Sequence, residues 1–159
     1  MSNIEAFFNA IRNGDVRAVA DQIANNPKLL EVNDQRGSTP LLLATYYGHE
    51  DLAKLLLEKG AQVDAKDGSG NTALMGVCFK GYVDIAALLI DAGANVNHKN
   101  AMGATCLIYA VTFNREDMVK LLLEYGADVS IKDARGKTAL DHAKEQDFKS
   151  MIKMLESIE

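Results

Sequence analysis

The 159-residue sequence contains no tryptophan, two prolines and two cysteines, and aromatic residues make up 6% of the chain. No apolar run approaches the roughly 18 residues that a membrane-spanning helix needs, so we expect no membrane insertion. The two cysteines, Cys78 and Cys106, have no regular spacing and give neither a disulfide framework nor a cluster of metal ligands. A reducing compartment fits this usage best, and we expect a cytoplasmic protein.

The balance of charge is acidic. The chain carries 17 lysine and arginine residues against 22 aspartate and glutamate residues, a formal net charge of -5. Its 48% hydrophobic and 25% charged residues are ordinary fractions for a soluble folded domain. A negative total disfavours non-specific attraction to nucleic acid and to anionic membranes. We therefore expect neither as a partner.

A repeat of 33 residues organises the sequence. A glycine recurs at this interval, a threonine follows each glycine by two positions, and a leucine follows each threonine by two more. These columns are Gly37, Gly70, Gly103 and Gly136; Thr39, Thr72, Thr105 and Thr138; and Leu41, Leu74, Leu107 and Leu140. Self-similarity at a fixed period of this size is the signature of a repeat architecture.

Within each unit the local signals come in the same order. A turn leads to a short helix capped by the threonine, then to a tight break, then to a longer helix that ends at a glycine. The residues at the break are Gly48, Gly81, Asn114 and Asp147. Glycine, asparagine and aspartate best tolerate a positive φ. The column therefore predicts a left-handed backbone at the break.

The segment GSTPLLLATYYGHEDLAKLLLEKGAQVD, residues 37–64, resembles the ankyrin repeat. The residues that carry the resemblance are G-x-T-P-L, a G-H before the second helix, and L-L-L-x-x-G-A at its end. The resemblance implies an all-α solenoid of helix-turn-helix units joined by turn or hairpin loops. It implies a single domain with central repeats at 33–65, 66–98 and 99–131, an N-terminal capping unit at 2–32 and a C-terminal capping unit at 132–159.

Some positions depart from the family's pattern. In the first unit Gly14 keeps the break, and Asn26 before Pro27 takes the place of the terminal glycine. The family's T-P-L-H histidine is replaced by Leu42, Met75, Ile108 and Asp141, so apolar packing should carry more of the stack. The leucine-rich second helices supply most of that packing, and we expect truncation of Leu88 to alanine to cost about 2–5 kcal/mol.

Ankyrin repeats usually recognise partners with their turn tips and with the last exposed positions of the first helix. Tyr46 and Tyr47 cannot share one helical face, so at least one should point away from the core. Exposed aromatic side chains are typical interface anchors, although these rings could instead cover one another. The resemblance implies eleven candidate partner-binding residues: Tyr46, Tyr47, Phe79, Lys80, Thr112 and Phe113 at the helix ends, and Arg36, Ser69, Asn71, Met102 and Arg135 at the turns.

Lysines also repeat at the turns, whereas acidic residues collect on the second helices. Lys66, Lys99 and Lys132 keep the full period, and a basic edge of this kind could steer an acidic partner. We favour the simpler interpretation that these lysines are solvated. The neighbouring aspartates, Asp34, Asp67 and Asp133, are expected to hold the turns with their carboxylates.

Catalysis finds little support in the sequence. His49, His98 and His142 fall in different units, and Cys78 and Cys106 align with packing positions. No phosphate loop, metal signature or nucleophile motif is present. We therefore expect no enzyme, no cofactor and no metal site. A hydrolase that uses one cysteine with a histidine is a remote alternative.

Together these features predict a non-catalytic protein–protein interaction module. We expect it to act as a monomer and to bind a folded protein partner, whose identity the sequence does not reveal, through its concave face and turn tips. The alternative is a dedicated inhibitor or immunity-type protein that masks an enzyme or a toxin, suggested by the small size and the acidity.

Overall fold

The computed structural model describes residues 3–158, and Ser2 and Glu159, the outermost residues of the two predicted capping units, lie outside the described residues. Within residues 3–158 the chain forms ten α-helices, one short 3-10 helix at Pro27–Glu31 and no strand, as the predicted all-α class requires. None of these helices is long and apolar enough to span a bilayer. The helices are α1 (Asn3–Arg12), α2 (Val16–Asn25), α3 (Pro40–Tyr46), α4 (Glu50–Glu58), α5 (Ala73–Lys80), α6 (Val83–Asp91), α7 (Cys106–Thr112), α8 (Glu116–Glu124), α9 (Ala139–Glu145) and α10 (Lys149–Glu156).

The odd-numbered helices, here called inner helices, alternate with even-numbered outer helices. Four of the five inner helices are capped by the predicted threonine, whose hydroxyl oxygen accepts a hydrogen bond from the backbone N–H three residues later. The four distances are 3.2 Å from Leu42, 3.4 Å from Met75, 3.3 Å from Ile108 and 3.2 Å from Asp141. Each bond satisfies an N–H group that the first turn of a helix leaves without a partner.

The break between the inner and the outer helix adopts the predicted left-handed backbone. The φ angles are 79° at Gly48, 84° at Gly81, 57° at Asn114 and 56° at Asp147. Asn114 and Asp147 are the only residues other than glycine with positive φ among residues 3–158. The variation in this column therefore reports a backbone requirement, as the sequence predicted.

The expectation for Asn26 is wrong. Its φ is -145°, so it does not adopt the left-handed backbone of Gly60, Gly93 and Gly126, which follow α4, α6 and α8. The reason is Pro27, because a proline forces the residue before it into an extended conformation. The Asn26 side chain instead accepts a hydrogen bond from the N–H of Lys28 and caps the 3-10 helix.

The core lies between the two rows of helices. The outer helices contribute large side chains that are less than 5% exposed, and the inner helices contribute small ones at 0%. Adjacent inner helices contact each other more extensively than adjacent outer helices do, which the small residues permit. The core residues are Leu52, Leu56, Ile85, Leu89, Met118, Leu122, Met151 and Leu155 from the outer row, and Ala44, Val77, Ala110 and Ala143 from the inner row.

Three of the four residues that replace the family's histidine are buried. Leu42 is 8% exposed, Met75 1% and Ile108 4%, so apolar packing does fill this column in three units. The fourth residue, Asp141, has another role. Its carboxylate accepts the backbone N–H of Thr138 at 3.0 Å and completes a capping box at the start of α9.

Successive turns are joined edge to edge by backbone hydrogen bonds. The N–H of Gly68 donates to the carbonyl of Arg36 at 3.1 Å, and the N–H of Ala101 donates to the carbonyl of Ser69 at 3.0 Å. One unit later, the N–H of Ala134 donates to the carbonyl of Met102 at 3.0 Å. These bonds place the turn tips side by side along the stack.

Candidate functional site

A groove of about 1470 Å³ runs along the inner helices and the turns. Its lining comes from α1, α3, α5 and α7 and from the turns around residues 33–38 and 67–72. The helices stand next to each other because their small central residues let them approach closely. The last turn of each inner helix therefore meets the last turn of the next, and side chains from separate units share one surface.

Four of the rings that line this groove form a chain of contacts from unit to unit that we call the aromatic row: Tyr46, Phe79, Tyr109 and Phe113. The rings of Tyr46 and Phe79 are stacked across two units, with 6.5 Å between centroids and 9° between planes. Phe79 meets Phe113 edge to face at 4.6 Å, and Tyr109 stacks on Phe113 at 6.3 Å. Such pairs are favourable geometries for aromatic rings, so the row is held in place before any partner arrives.

The rings at the ends of the inner helices remain accessible although they contact each other. Tyr46 is 40% exposed, Phe79 36% and Phe113 42%. Tyr47, whose ring meets that of Tyr46 edge to face at 5.8 Å, is 47% exposed. Both tyrosine rings thus lie outside the core, and each covers the other only in part.

The groove brings together seven of the eleven predicted partner-binding residues. Tyr46, Tyr47, Phe79, Phe113, Arg36, Ser69 and Asn71 line it. The Lys80 ammonium lies 4.9 Å from the centroid of the Tyr46 ring, at the border of the groove. Met102, which is 65% exposed, and Arg135 occupy the third and fourth turns, and the carbonyl of Thr112 accepts a hydrogen bond from Gln146 at 2.9 Å.

Other groove residues escaped the sequence analysis. Tyr109 lies four residues before Phe113, so the two side chains share one helical face. This spacing could have identified Tyr109 as a groove residue from the sequence. Phe8 and Ile4 on α1 show the same spacing of four and also line the groove. Gly76 lines it as well, but a glycine carries no signal until its neighbours are known.

The aspartate carboxylates hold the turns through hydrogen bonds, as the sequence predicted. In each of three turns Oδ1 of the aspartate accepts the backbone N–H groups two and four residues later, at 2.9–3.0 Å, for Asp34, Asp67 and Asp133. Lys66, Lys99 and Lys132 are exposed. None of the three lysines joins an ion pair within the described residues.

The three histidines make separate structural contacts. Nε2 of His49 lies 2.7 Å from the carbonyl oxygen of Arg12, and Nε2 of His98 lies 2.9 Å from that of Gly70. Nε2 of His142 lies 2.8 Å from Oδ2 of Asp133. Each histidine thus has a partner in its own unit or in the preceding one. In residues 3–158 no group of three His, Cys, Asp or Glu side chains is placed to hold a metal ion.

The two cysteines are neighbours in space, which their spacing in the sequence did not indicate. Cys78 on α5 and Cys106 on α7 are free thiols at 0% exposure, and their side chains share a hydrogen bond. Burial raises the pKa of the Cys78 thiol well above its usual value, and the contact with Cys106 raises it further. A raised pKa disfavours the nucleophilic thiolate.

The sequence was compared with models of known protein families. A model described as ankyrin repeats (3 copies) matches residues 7–100, 64–133 and 92–158, so the matches together span nearly the whole chain. Ankyrin repeats are generally protein–protein interaction modules, and the family is generally non-catalytic. On this match and on its helical architecture, the chain belongs to the ankyrin repeat family.

Proposed function

We propose that this protein binds a folded partner protein through the groove and the neighbouring turn tips, and that it catalyses no reaction. The observation that carries the proposal is the aromatic row. It joins rings from three units into one accessible surface, and three of its rings are more than a third exposed. Aromatic side chains with this exposure, grouped in a concave lining, are the residue types that dominate binding energy at interfaces.

The rigidity of the row favours binding. Association costs less conformational entropy when the contacted side chains are already ordered, because fewer rotamers are lost. Edge-to-face and stacked contacts hold Tyr46, Phe79 and Phe113 in this way. An interface of standard size, roughly 1,600 Å² in total, would extend from the row to the turn tips that carry Arg36 and Ser69.

The chemistry of the remaining side chains supports a binding role over catalysis. A cysteine hydrolase needs an accessible thiolate with a base within hydrogen-bonding distance. Both thiols are buried and contact each other, and the imidazole rings already contact carbonyls or an aspartate. The groove itself is lined by rings, amides and charged residues, and its two aspartates, Asp34 and Asp67, accept backbone N–H groups of their own turns.

The double variant Tyr47→Ala and Phe113→Ala tests the proposal. We expect its melting temperature to stay within a few degrees of the wild-type value, because both side chains are more than 40% exposed. Capture of the partner from a lysate of cells that express the protein should fall severely, as measured by quantitative mass spectrometry after affinity purification. The proposal fails if the double variant captures the same proteins in the same amounts.

Tyr125→Ala provides a matched control. Tyr125 is 48% exposed, as much as Tyr47, but it lies at the end of outer helix α8. We expect this variant to capture the partner like the wild type. Equal losses of partner capture in the two variants would have one of two meanings. Either the partner binds the outer side, or both losses come from general destabilisation of the protein.

A further inference from the structure

Gly76 occupies an unusual place for a glycine. It lies inside inner helix α5, and it is not one of the glycines with positive φ. A Cβ atom built on it would meet only Cδ1 of Tyr46, at 3.5 Å, which is an ordinary contact. A glycine inside a helix lowers its stability relative to alanine. Neither the backbone nor the packing therefore requires glycine at this position.

The missing side chain opens a slot in the floor of the groove. The equivalent positions in the other units carry the large residues Leu43, Tyr109 and His142. Phe79 lies three residues after Gly76 on the same face of α5. The Tyr46 ring, from the preceding unit, lies next to Gly76 and stacks on the Phe79 ring. We call the part of the groove above Gly76 the Gly76 slot; Tyr46 lies next to it, and Phe79 and Tyr109 line the same groove.

One cationic residue lies beside the slot and another lines the same groove. Lys80 lies one turn after Gly76 on α5, and its ammonium lies 4.9 Å from the centroid of the same Tyr46 ring. Arg36 lines the groove, is exposed, and joins no ion pair within the described residues. Neither cation forms an ion pair with a carboxylate of the described residues, and Lys80 is the one that contacts a ring at the slot.

The acidic residues of the groove are already engaged. Oδ1 of Asp34 and Oδ1 of Asp67 each accept two backbone N–H groups of their own turns. Glu5, on α1, has an interaction within the chain. The lining thus carries both signs of charge, Glu5, Asp34 and Asp67 against Arg12 and Arg36. The aspartates hold their own turns, whereas the cations of Lys80 and Arg36 form no ion pair within the described residues.

From the slot and these charges we propose that the Gly76 slot receives one large apolar side chain from an acidic segment of the partner protein. Carboxylates on either side of that side chain pair with Lys80 and Arg36. The apolar side chain packs against the faces of Tyr46 and Phe79 and the ring of Tyr109. This inference rests on the proposed function and specifies the chemistry of the segment that the groove recognises.

A library of random twelve-residue peptides displayed on phage, selected against the immobilised full-length protein, tests the inference. We expect the enriched peptides to share one large apolar residue flanked by aspartate or glutamate. Enrichment of basic peptides, of peptides without this pattern, or of none at all would overturn it. The enriched sequences are then synthesised, and their dissociation constants are measured by fluorescence anisotropy.

Gly76→Leu fills the slot and should weaken binding of these peptides at least about tenfold, a factor that corresponds to 1.4 kcal/mol. Its melting temperature should equal or exceed the wild-type value, because leucine favours a helix more than glycine does. Ala24→Leu is the matched control, since it places the same side chain on an exposed position of outer helix α2. It should leave the affinity unchanged, and equal affinities for wild type and Gly76→Leu would refute the slot.

Charge reversal tests the second half of the inference. Lys80→Glu should lower the affinity about tenfold or more. Lys120→Glu makes the same change in net charge on outer helix α8 and should have little effect. The wild-type affinity should also fall as salt rises from 0.1 to 0.5 M, since salt screens accessible charge pairs. An affinity insensitive to Lys80→Glu and to salt would rule out the acidic segment.

The outcomes distinguish this inference from the proposed function. If the peptides lose affinity for the Tyr47→Ala, Phe113→Ala variant but not for Gly76→Leu, the groove binds protein and the slot does not contribute. If neither variant changes the affinity, the groove function fails as well. Should Gly76→Leu not fold, peptide titration of the wild-type protein decides, because unchanged amide shifts of Gly76 and Lys80 in NMR spectra would contradict the slot.

Discussion

Nε2 of His142, on α9, lies 2.8 Å from Oδ2 of Asp133, in the turn before that helix. The other oxygen of the carboxylate accepts the backbone N–H groups of Arg135 at 2.9 Å and Lys137 at 3.0 Å. The two side chains are only 15% and 10% exposed. Burial by itself would raise the pKa of Asp133, but the hydrogen bonds from Lys137, His142 and Arg135 outweigh it and lower that pKa below its usual value.

This carboxylate should make stability depend on pH in the acid range. A carboxyl group with a lower pKa in the folded state contributes stability that is fully present above its unfolded pKa, about 3.9. The contribution is lost as the pH falls through the folded pKa. We expect Asp133→Asn to show a smaller fall in the free energy of unfolding than the wild type between about pH 4 and pH 2.5, as measured by urea denaturation.

Asn100 shows why this variant is a clean comparison. It occupies the equivalent turn position, and its Oδ1 accepts the N–H groups of Met102 and Ala104, both at 3.0 Å. Asparagine at position 133 should therefore keep the turn while removing the charge. Other carboxyl groups with lowered pKa values, Asp128, Asp141 and Glu145, affect both proteins alike. Identical pH profiles would show that Asp133 contributes nothing to acid sensitivity.

Two glycines in the same turn column should respond differently to alanine. Gly103 and Gly136 have φ angles of 73° and 78°. A Cβ atom on Gly103 would lie 2.8 Å from the backbone nitrogen of Ala134, whereas none of the described atoms lies within 4 Å of a Cβ on Gly136. That nitrogen donates to the carbonyl of Met102 in the bond that joins the two turns.

Both alanine variants place an L-residue in the left-handed region, at a cost of roughly 1–2 kcal/mol. Gly103→Ala should lose about 1 kcal/mol more, because the clash also disturbs a hydrogen bond worth about 0.5–1.5 kcal/mol. Equilibrium unfolding in urea measures both losses. Equal losses would show that the contact between turns contributes nothing to stability.

The architecture could be predicted from the sequence because its signals are local and repeated. A threonine cap or a break residue depends on a few neighbouring atoms, so four aligned copies identify the requirement. The one failure among these predictions, at Asn26, has an equally local cause in Pro27, which fixes an extended backbone.

The groove was harder to predict because its shape depends on contacts between units. One column contains Leu43, Gly76, Tyr109 and His142, four residues with nothing in common. Its importance appears only when stacking places the gap at Gly76 beside the Tyr46 ring. The contact between Cys78 and Cys106 arises in the same way, since the two residues belong to different columns of adjacent helices.

Adjacent leucines on α6 should differ in their contribution to stability. Leu89 is 0% exposed, whereas Leu88 is only partly buried against the core. Leu89→Ala should destabilise the protein by about 2–5 kcal/mol, because it removes apolar burial and leaves a cavity. The sequence led us to expect a loss of this size for Leu88→Ala. The structure favours a smaller loss there, and chemical denaturation of both variants in parallel decides between the two.

Both thiols should resist modification while the protein is folded. Cys78 and Cys106 are fully buried, and burial raises the pKa of Cys78, so the reactive thiolate is scarce as well as inaccessible. We expect labelling by an aromatic disulfide reagent to be on the order of 100-fold slower in buffer than in urea, since core thiols react only when the structure opens. The single variants Cys78→Ala and Cys106→Ala assign each rate to one thiol. Rapid labelling of either thiol in the folded protein would reveal an accessible nucleophile, and the hydrolase alternative would then have to be tested directly.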